Sequence, residues 1–453
     1  MRKILILSVV FVLWMALTGS SQPPTVRAGV EQIDISLPTE SAGTGSLAVR
    51  LFAPSESNRS YLREGVPIVI EVPGGNSTGG LMPSRSSGLE GFIYLTFLFP
   101  GGRFEGRTSA GTYDHRGLNS IKALRDVILF ASGQLPDSQG RTIDTIVRVP
   151  VLTENIGLLT LSNGGPISVV TLALYGAQLP NVKYIIDWEN PTNGQIVNTD
   201  AGPGANFECP ASGRPQVRPR LTNPYYRGYG PVILDIDYSR IAYDSSTDRL
   251  FLDGNQNSRF DTTTDVSGCR TTDLNKNGQL DPEEDFGLSP SPYSVPGERK
   301  HYSLQAIEAA HDAKLFSSWP ASIDTPEESN TFWEIRDAAR NYDALAKVRP
   351  DLKMLILTSV EDHVQTVPGK PHIRQPFDAF VRHKLWVKLN PSRASVIAVD
   401  TRLQARTDLP ENAPNSAPAD WNRYSYAYPE GIPDAVYYAA AVREMAEIVA
   451  AGR

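Results

Sequence analysis

The chain has 453 residues, with 50 acidic against 43 basic side chains and a formal net charge of −7. That balance offers nothing to a phosphate backbone and argues against a nucleic-acid partner. The length suffices for a large core, in one elaborated domain or in several smaller ones, and the 36 Gly and 35 Pro mark a globular, loop-rich chain.

The N-terminus reads Met1-Arg2-Lys3, then an apolar run Ile4–Leu17, then small polar residues Thr18–Ser21. Basic, apolar and small-residue zones in that order predict a secretory signal over 1–21. The run is shorter than the ~20 residues that span a bilayer, although an uncleaved anchor is the alternative. No cysteine lies near the cleavage zone, which argues against a lipid anchor. The mature protein is expected to be soluble and exported, periplasmic or extracellular, beginning near Ser20–Pro24. In that compartment the two cysteines, Cys209 and Cys269, are expected to pair.

Val30–Leu37 and Leu47–Phe52 alternate in polarity and predict an antiparallel hairpin. Val66–Val72 and Phe92–Phe99 are continuous apolar runs that end in Pro-Gly-Gly turns, as strands buried on both faces do. Gly117–Gly133 carries apolar residues at helical spacing. Ile156–Leu161 predicts the next strand, followed by a helix over Ile167–Tyr175 and a strand over Val182–Ile186. Residues 190–350 begin rich in Pro, Gly, Asn and Asp. Helices are predicted late in that stretch, at Ser303–Phe316 and Pro326–Val348. Lys353–Leu357 predicts another strand, Ser395–Val399 the last strand, and Ala435–Ala450 the last helix.

The stretch Ile156–Gly165 organises the rest. An apolar strand ends on Ser162, Gly164 and Gly165 follow at once, and a helix begins. A sharp strand-to-helix turn lifts a serine hydroxyl above the sheet edge, and the helix N-terminus adds unpaired N–H groups and a positive dipole end. With this layout the chain resembles the α/β-hydrolase superfamily and its Gly-x-Ser-x-Gly nucleophile elbow. Thr160 stands where the pattern has its first glycine. The resemblance implies an α/β fold with a mostly parallel eight-stranded sheet and helices on both faces. It divides the chain into core residues 22–189, a cap insertion 190–350 between strands six and seven, and core residues 351–453.

The resemblance also implies roles. Ser162 would be the nucleophile, with oxyanion donors from the backbone at Asn163 and in the Pro73-Gly74-Gly75-Asn76 loop, chiefly Gly75. The acid expected past the seventh strand is Asp362, with Glu361, Asp187 and Glu189 as alternatives. The superfamily places its histidine after the last strand, and Asp400–Asp434 contains none. Of the six histidines, His372 is the expected base and His363 the second choice. His311 could reach the serine from the insertion, while His115, His301 and His383 are weaker candidates. The opposing reading is that the base is absent and the site inactive.

Asp273-Leu274-Asn275-Lys276-Asn277-Gly278-Gln279-Leu280-Asp281-Pro282-Glu283-Glu284 resembles an EF-hand calcium loop. Asp273, Asn275, Asn277, the Gln279 carbonyl, Asp281 and a bidentate Glu284 would supply hard oxygens around one Ca2+, with Gly278 at the sharp turn. A weaker copy precedes it, with Asp253, Asn255, Asn257, the Arg259 carbonyl and Asp261 as ligands. Its twelfth position is Thr264, with Asp265 next. The flanks lack clear helices. The expected protein is a calcium-stabilised serine hydrolase acting on a small-molecule ester or a peptide. The alternative is a non-catalytic calcium-stabilised binding protein on the same scaffold.

Overall fold

The computed structural model describes residues 30–452 except 56–61, 63, 76, 84–89, 193–237, 265–269, 277–280, 289, 291–298, 361, 363–369 and 422. The predicted signal segment and both cysteines, Cys209 and Cys269, lie outside the described residues. Among the described residues no helix is long and apolar enough to cross a membrane.

Eight strands form the main sheet: β1 (Val30–Pro38), β2 (Ser46–Pro54), β3 (Val66–Val72), β4 (Ile93–Phe97), β5 (Val151–Leu161), β6 (Val182–Trp188), β7 (Lys353–Leu357) and β8 (Trp386–Leu389). Their spatial order is β1-β2-β4-β3-β5-β6-β7-β8. β1 and β2 pair antiparallel, as predicted, and β2 meets β4 antiparallel. From β4 onward every pairing is parallel. This is the α/β-hydrolase arrangement.

Local chemistry explains the central strands. All seven residues of β3 are buried, as a strand covered by helices on both faces requires. Pro67 cannot donate to a ladder, and the pairing of β3 with β5 shifts register between Pro67 and Ile68. Gly157 admits the ring of Tyr184 from β6, since a Cβ there would lie 2.1 Å from Tyr184 Cε2.

Two helical layers cover the sheet. One face packs against α1 (Leu118–Ala131), α2 (Gly164–Tyr175), α5 (Tyr342–Val348) and α6 (Pro371–Arg382). The other packs against α7 (Arg393–Val399) and α8 (Asp434–Ala450). Residues Gly164–Ala173 of α2 are all buried, so this mostly apolar helix has no solvent stripe. Between β6 and β7 the insertion builds a core of its own, around Leu250, Phe286, Tyr302 and Ile307. Its helices are α3 (Leu304–Asp312) and α4 (Pro326–Glu334). Its three-stranded antiparallel sheet joins Phe286–Gly287, Arg249–Leu252 and Ile241–Asp244.

Three expectations need correction. Ser395–Val399 is not the last strand but part of helix α7, started by Ser392, whose hydroxyl accepts the Ser395 N–H. The last strand is β8, disguised in the sequence by Lys388, which is buried and paired with Glu444 Oε1 at 2.5 Å. The long helix expected over Pro326–Val348 is broken near Asp337, whose carboxylate accepts the Ala339 N–H and starts a separate turn. The helix expected over Ser303–Phe316 stops at Asp312, with Lys314 left-handed at φ +53°.

Candidate active site and acidic loops

Ser162 sits at the junction of β5 and α2 with φ +49°. A left-handed non-glycine residue costs on the order of 1–3 kcal/mol and persists only where its surroundings over-determine it. Those surroundings are backbone. Ser162 N–H donates to Trp188 O at 2.9 Å, and Ser162 O accepts Gly165 N–H at 2.8 Å. A Cβ on Gly164 would lie 2.3 Å from Val72 O, and one on Gly165 would lie 2.2 Å from Asn190 Cγ. Both glycines are therefore required by close approach.

Thr160, the departure from the glycine pattern, does not crowd the turn. It is buried in the sheet, and its hydroxyl bonds Asp187 Oδ1 at 2.8 Å and Ile186 O at 3.1 Å.

The loop after β3 lies against the elbow. A Cβ on Gly74 would fall 2.5 Å from Leu161 O and 3.3 Å from Ser162 Cβ. Gly75 is left-handed at φ +61°. Asn163 immediately precedes α2 and is half-buried. Asn163 thus follows the serine in the chain, and the loop that carries Gly75 approaches the elbow at Gly74. Asn76 lies outside the described residues.

The structure brings the predicted acid and base together. His372 Nε2 donates to Asp362 Oδ2 at 2.8 Å, and both side chains are buried. Among the described residues, His372 Nδ1 has no hydrogen-bond partner. No described hydrogen bond joins His372 to Ser162. A chain of contacts links them indirectly. Asp187 Oδ2 accepts Asn190 Nδ2 at 3.1 Å, and Asn190 Oδ1 accepts Thr192 N–H at 2.8 Å. Thr192 Oγ1 then donates to His372 O at 2.7 Å. Asn190 is also the side chain that abuts Gly165. Burial pushes the Asp187 carboxyl up to about 6, against the opposing hydrogen bonds from Thr160 and Asn190 and the attraction of His372.

Lys370 adds a buried charge 3.8 Å from Asp362 Oδ2. Burial lowers its pKa, while Asp362 and Glu189 hold it up. Glu189 Oε1 accepts Ser359 Oγ–H at 2.6 Å. Sequence reasoning missed Lys370, Asn190 and Thr192, because only folding brings the ends of β6 and β7 to the start of α6.

The other histidines serve elsewhere. His311 is exposed on α3, 3.4 Å from Asp312. His301 bonds Asp324 and stacks on Phe332, His383 bonds Asp343, and His115 lies edge-on to Tyr113. His363 and Glu361 fall outside the described residues.

The acidic loops lie beside the insertion's small sheet. In the first, Asp253 Oδ1 and Oδ2 accept the N–H groups of Asn257 and Ser258, and Asp261 Oδ2 accepts Nδ2 of Asn255 and of Asn257. Arg259 N–H donates to Asn257 Oδ1. Asp285, which the motif did not single out, is buried beneath this loop and accepts the N–H groups of Gly254 and Asp261. Burial, and then repulsion from Asp253 and Asp261, raises the Asp285 pKa.

In the second loop Glu284 Oε1 accepts the Leu274 and Asn275 N–H groups, and Oε2 accepts that of Asp281. Asn275 Nδ2 donates to Asp281 Oδ2, and Asp273 is half-buried alongside. Asn277, Gly278 and Gln279 lie outside the described residues. Among the described residues no group of three or more His, Cys, Asp or Glu is placed to hold a metal ion. The donors present are hard oxygens of the kind calcium takes.

No protein-family profile matches the chain, and no curated protein matches it. Among solved structures it is similar to carboxyl esterase 2 of the fungus Tuber melanosporum, at 11% identity over 81% of this chain and 77% of that one, TM-score 0.37. It is similar to a thermostable esterase from Pseudomonas putida at 12% identity over 40% and 47%, TM-score 0.27. An esterase from the archaeon Pyrobaculum calidifontis matches at 17% identity over 36% and 46%, TM-score 0.25. The match spans just under half the length of the latter two chains. The class of fold rests on the strand order and the elbow: this is an α/β-hydrolase fold.

Proposed function

We propose that the protein is an exported serine hydrolase that cleaves a small ester or a peptide bond through an acyl-enzyme at Ser162. One observation carries this reading: the left-handed Ser162 between β5 and α2, facing a glycine loop. In the proposed reaction Ser162 Oγ bonds the carbonyl carbon while its proton passes to a base. The alcohol or amine leaves with that proton, and water then hydrolyses the acyl ester. Asn163 and Gly75 N–H groups would carry the oxyanion charge. Asp362 and His372 are the acid and base of this reading, with Nδ1 as the nitrogen left to take the proton.

The absence of histidine from residues 390–433, with His372 Nδ1 lacking a hydrogen-bond partner among the described residues, favours a second reading: a binding protein on a hydrolase scaffold. A fluorophosphonate probe at neutral pH decides between them. Covalent labelling that Ser162→Ala abolishes is the expected result. An unlabelled wild-type protein, with p-nitrophenyl acetate left intact, establishes the second reading.

The acidic loops support a further proposal, that Ca2+ holds the insertion together and takes no part in the chemistry. Asp253, Asn255, Asn257, Asp261 and the Arg259 carbonyl would hold one ion. Asp273, Asn275, Asn277, Asp281, Glu284 and the Gln279 carbonyl would hold another. Burial is the main cause of the raised Asp285 pKa, and the smaller repulsion from Asp253 and Asp261 is what a cation there would relieve.

A further inference from the structure

We propose that Arg116 is the positioning residue of the oxyanion hole, an inference that rests on the hydrolase reading of Ser162. Arg116 is 6% exposed. Its Nη2 donates to three carbonyls of one loop, Gly74 O at 3.0 Å, Gly75 O at 3.3 Å and Ser77 O at 3.3 Å. Its Nε donates to Tyr113 OH at 3.1 Å, and Tyr113 OH donates to Ser77 O at 3.0 Å. The guanidinium lies over the Phe99 ring, 4.4 Å from its centroid. Five contacts therefore fix one planar group against one short loop.

Peptide geometry converts that clamp into a donor arrangement. In a trans peptide the C=O and the following N–H point in opposite directions. Holding Gly74 O on the guanidinium turns the Gly75 N–H away from it. Arg116 thus sets the orientation of the Gly75 amide in a loop whose Gly74 backbone lies against the Ser162 turn. The positive charge also polarises that peptide, which strengthens an N–H group aimed at a developing anion. Glycines alone would leave this loop many orientations.

The clamp is itself held. Arg116 and His115 are both left-handed, at φ +69° and +50°. Arg336, from the insertion just after α4, locks that turn by donating to Asp114 O and, at 2.8 Å, to His115 O. Gly117 makes room for it, since a Cβ there would lie 2.4 Å from Arg336 Nη2. The insertion thereby reaches the oxyanion loop through two arginines in series.

The test compares Arg116→Met, which keeps the bulk over Phe99, with Arg116→Lys and Tyr113→Phe. With p-nitrophenyl acetate, Arg116→Met should lower kcat by roughly 10- to 100-fold with KM changed less than about threefold, a fraction of what losing an oxyanion donor costs. Arg116→Lys should recover part of that loss, because an ammonium supplies charge without the planar fork. Tyr113→Phe should act in the same direction and less. Amide hydrogen exchange across Gly74–Ser77 should quicken in the same order.

A folded Arg116→Met protein with unchanged kcat and unchanged exchange overturns the proposal, as does a rise in KM alone. If Arg116→Met fails to fold, Tyr113→Phe decides by the same two readouts. If the wild-type protein neither labels nor turns over, the hydrolase reading falls, and the exchange series still decides whether Arg116 holds the loop.

Discussion

The elbow and the acidic loops are both tight turns, and they are stabilised in opposite ways. At the elbow, backbones touch backbones: Gly164 against Val72 O, Gly74 against Leu161 O, Ser162 N–H on Trp188 O. The polar groups behind it are paired in sequence, from Thr160 through Asp187 and Asn190 to Thr192. In the acidic loops, side chains do the holding, and Asp285 is raised by burial and, less, by repulsion from Asp253 and Asp261. A strained turn can stand on packing alone, whereas a cluster of carboxylates needs a counter-charge to reach its full stability.

That contrast can be broken most severely at Gly164. Gly164→Ala places a Cβ against a backbone oxygen that cannot move without disturbing β3, so the expected loss is about 3 kcal/mol or more. A urea unfolding midpoint equal to that of the wild-type protein would show that the elbow is looser than its contacts imply.

Removing calcium probes the other region. If Ca2+ binds the folded loops, a chelator should lower stability by about 2.7 kcal/mol relative to a hundredfold excess over the dissociation constant. Proteolysis should then begin between Asp253 and Glu284. Glu284→Gln should reproduce much of this, because Glu284 also ties the Leu274, Asn275 and Asp281 backbones. Superimposable melting curves with and without chelator would remove calcium from the account.

A pH-dependent effect belongs to Asp187. Its folded pKa of about 6 lies above the ordinary 3.8, so the neutral form is favoured in the fold. The associated stability is fully present below about pH 4 and is lost as pH rises through about 6. Asp187→Asn stays neutral throughout. The melting temperature of the variant minus that of the wild-type protein should therefore climb between about pH 4 and 6 and level off above. Parallel pH profiles would show that Asp187 is better solvated than its burial indicates.

Much of the scaffold was legible in the chain, because it is written in local pattern. The alternation of Val30–Leu37, the apolar runs before Pro73 and Ser162, and the paired glycines at Gly164–Gly165 each specify a conformation through their immediate neighbours. The hairpin, the parallel strands and the placement of Ser162 follow from them. Asp362 and His372 were also legible as candidates, since both lie just past a predicted strand. Their pairing was not, because a hydrogen bond across ten residues depends on how α6 docks.

Tertiary structure alone decided the rest. Lys388 hides the last strand, since a charge in a strand reads as exposed until Glu444 arrives from α8 to neutralise it. Thr160 reads as an obstacle at the elbow until Asp187, on the adjacent strand, accepts its hydroxyl. Arg116 reads as a surface charge until the fold sets three carbonyls 39 to 42 positions away around its guanidinium. In each case the residue violates its local pattern, and the group that satisfies it lies far off in sequence. Periodicity reports which face of an element is buried, but only the assembled fold reveals which polar partner makes a buried exception stable.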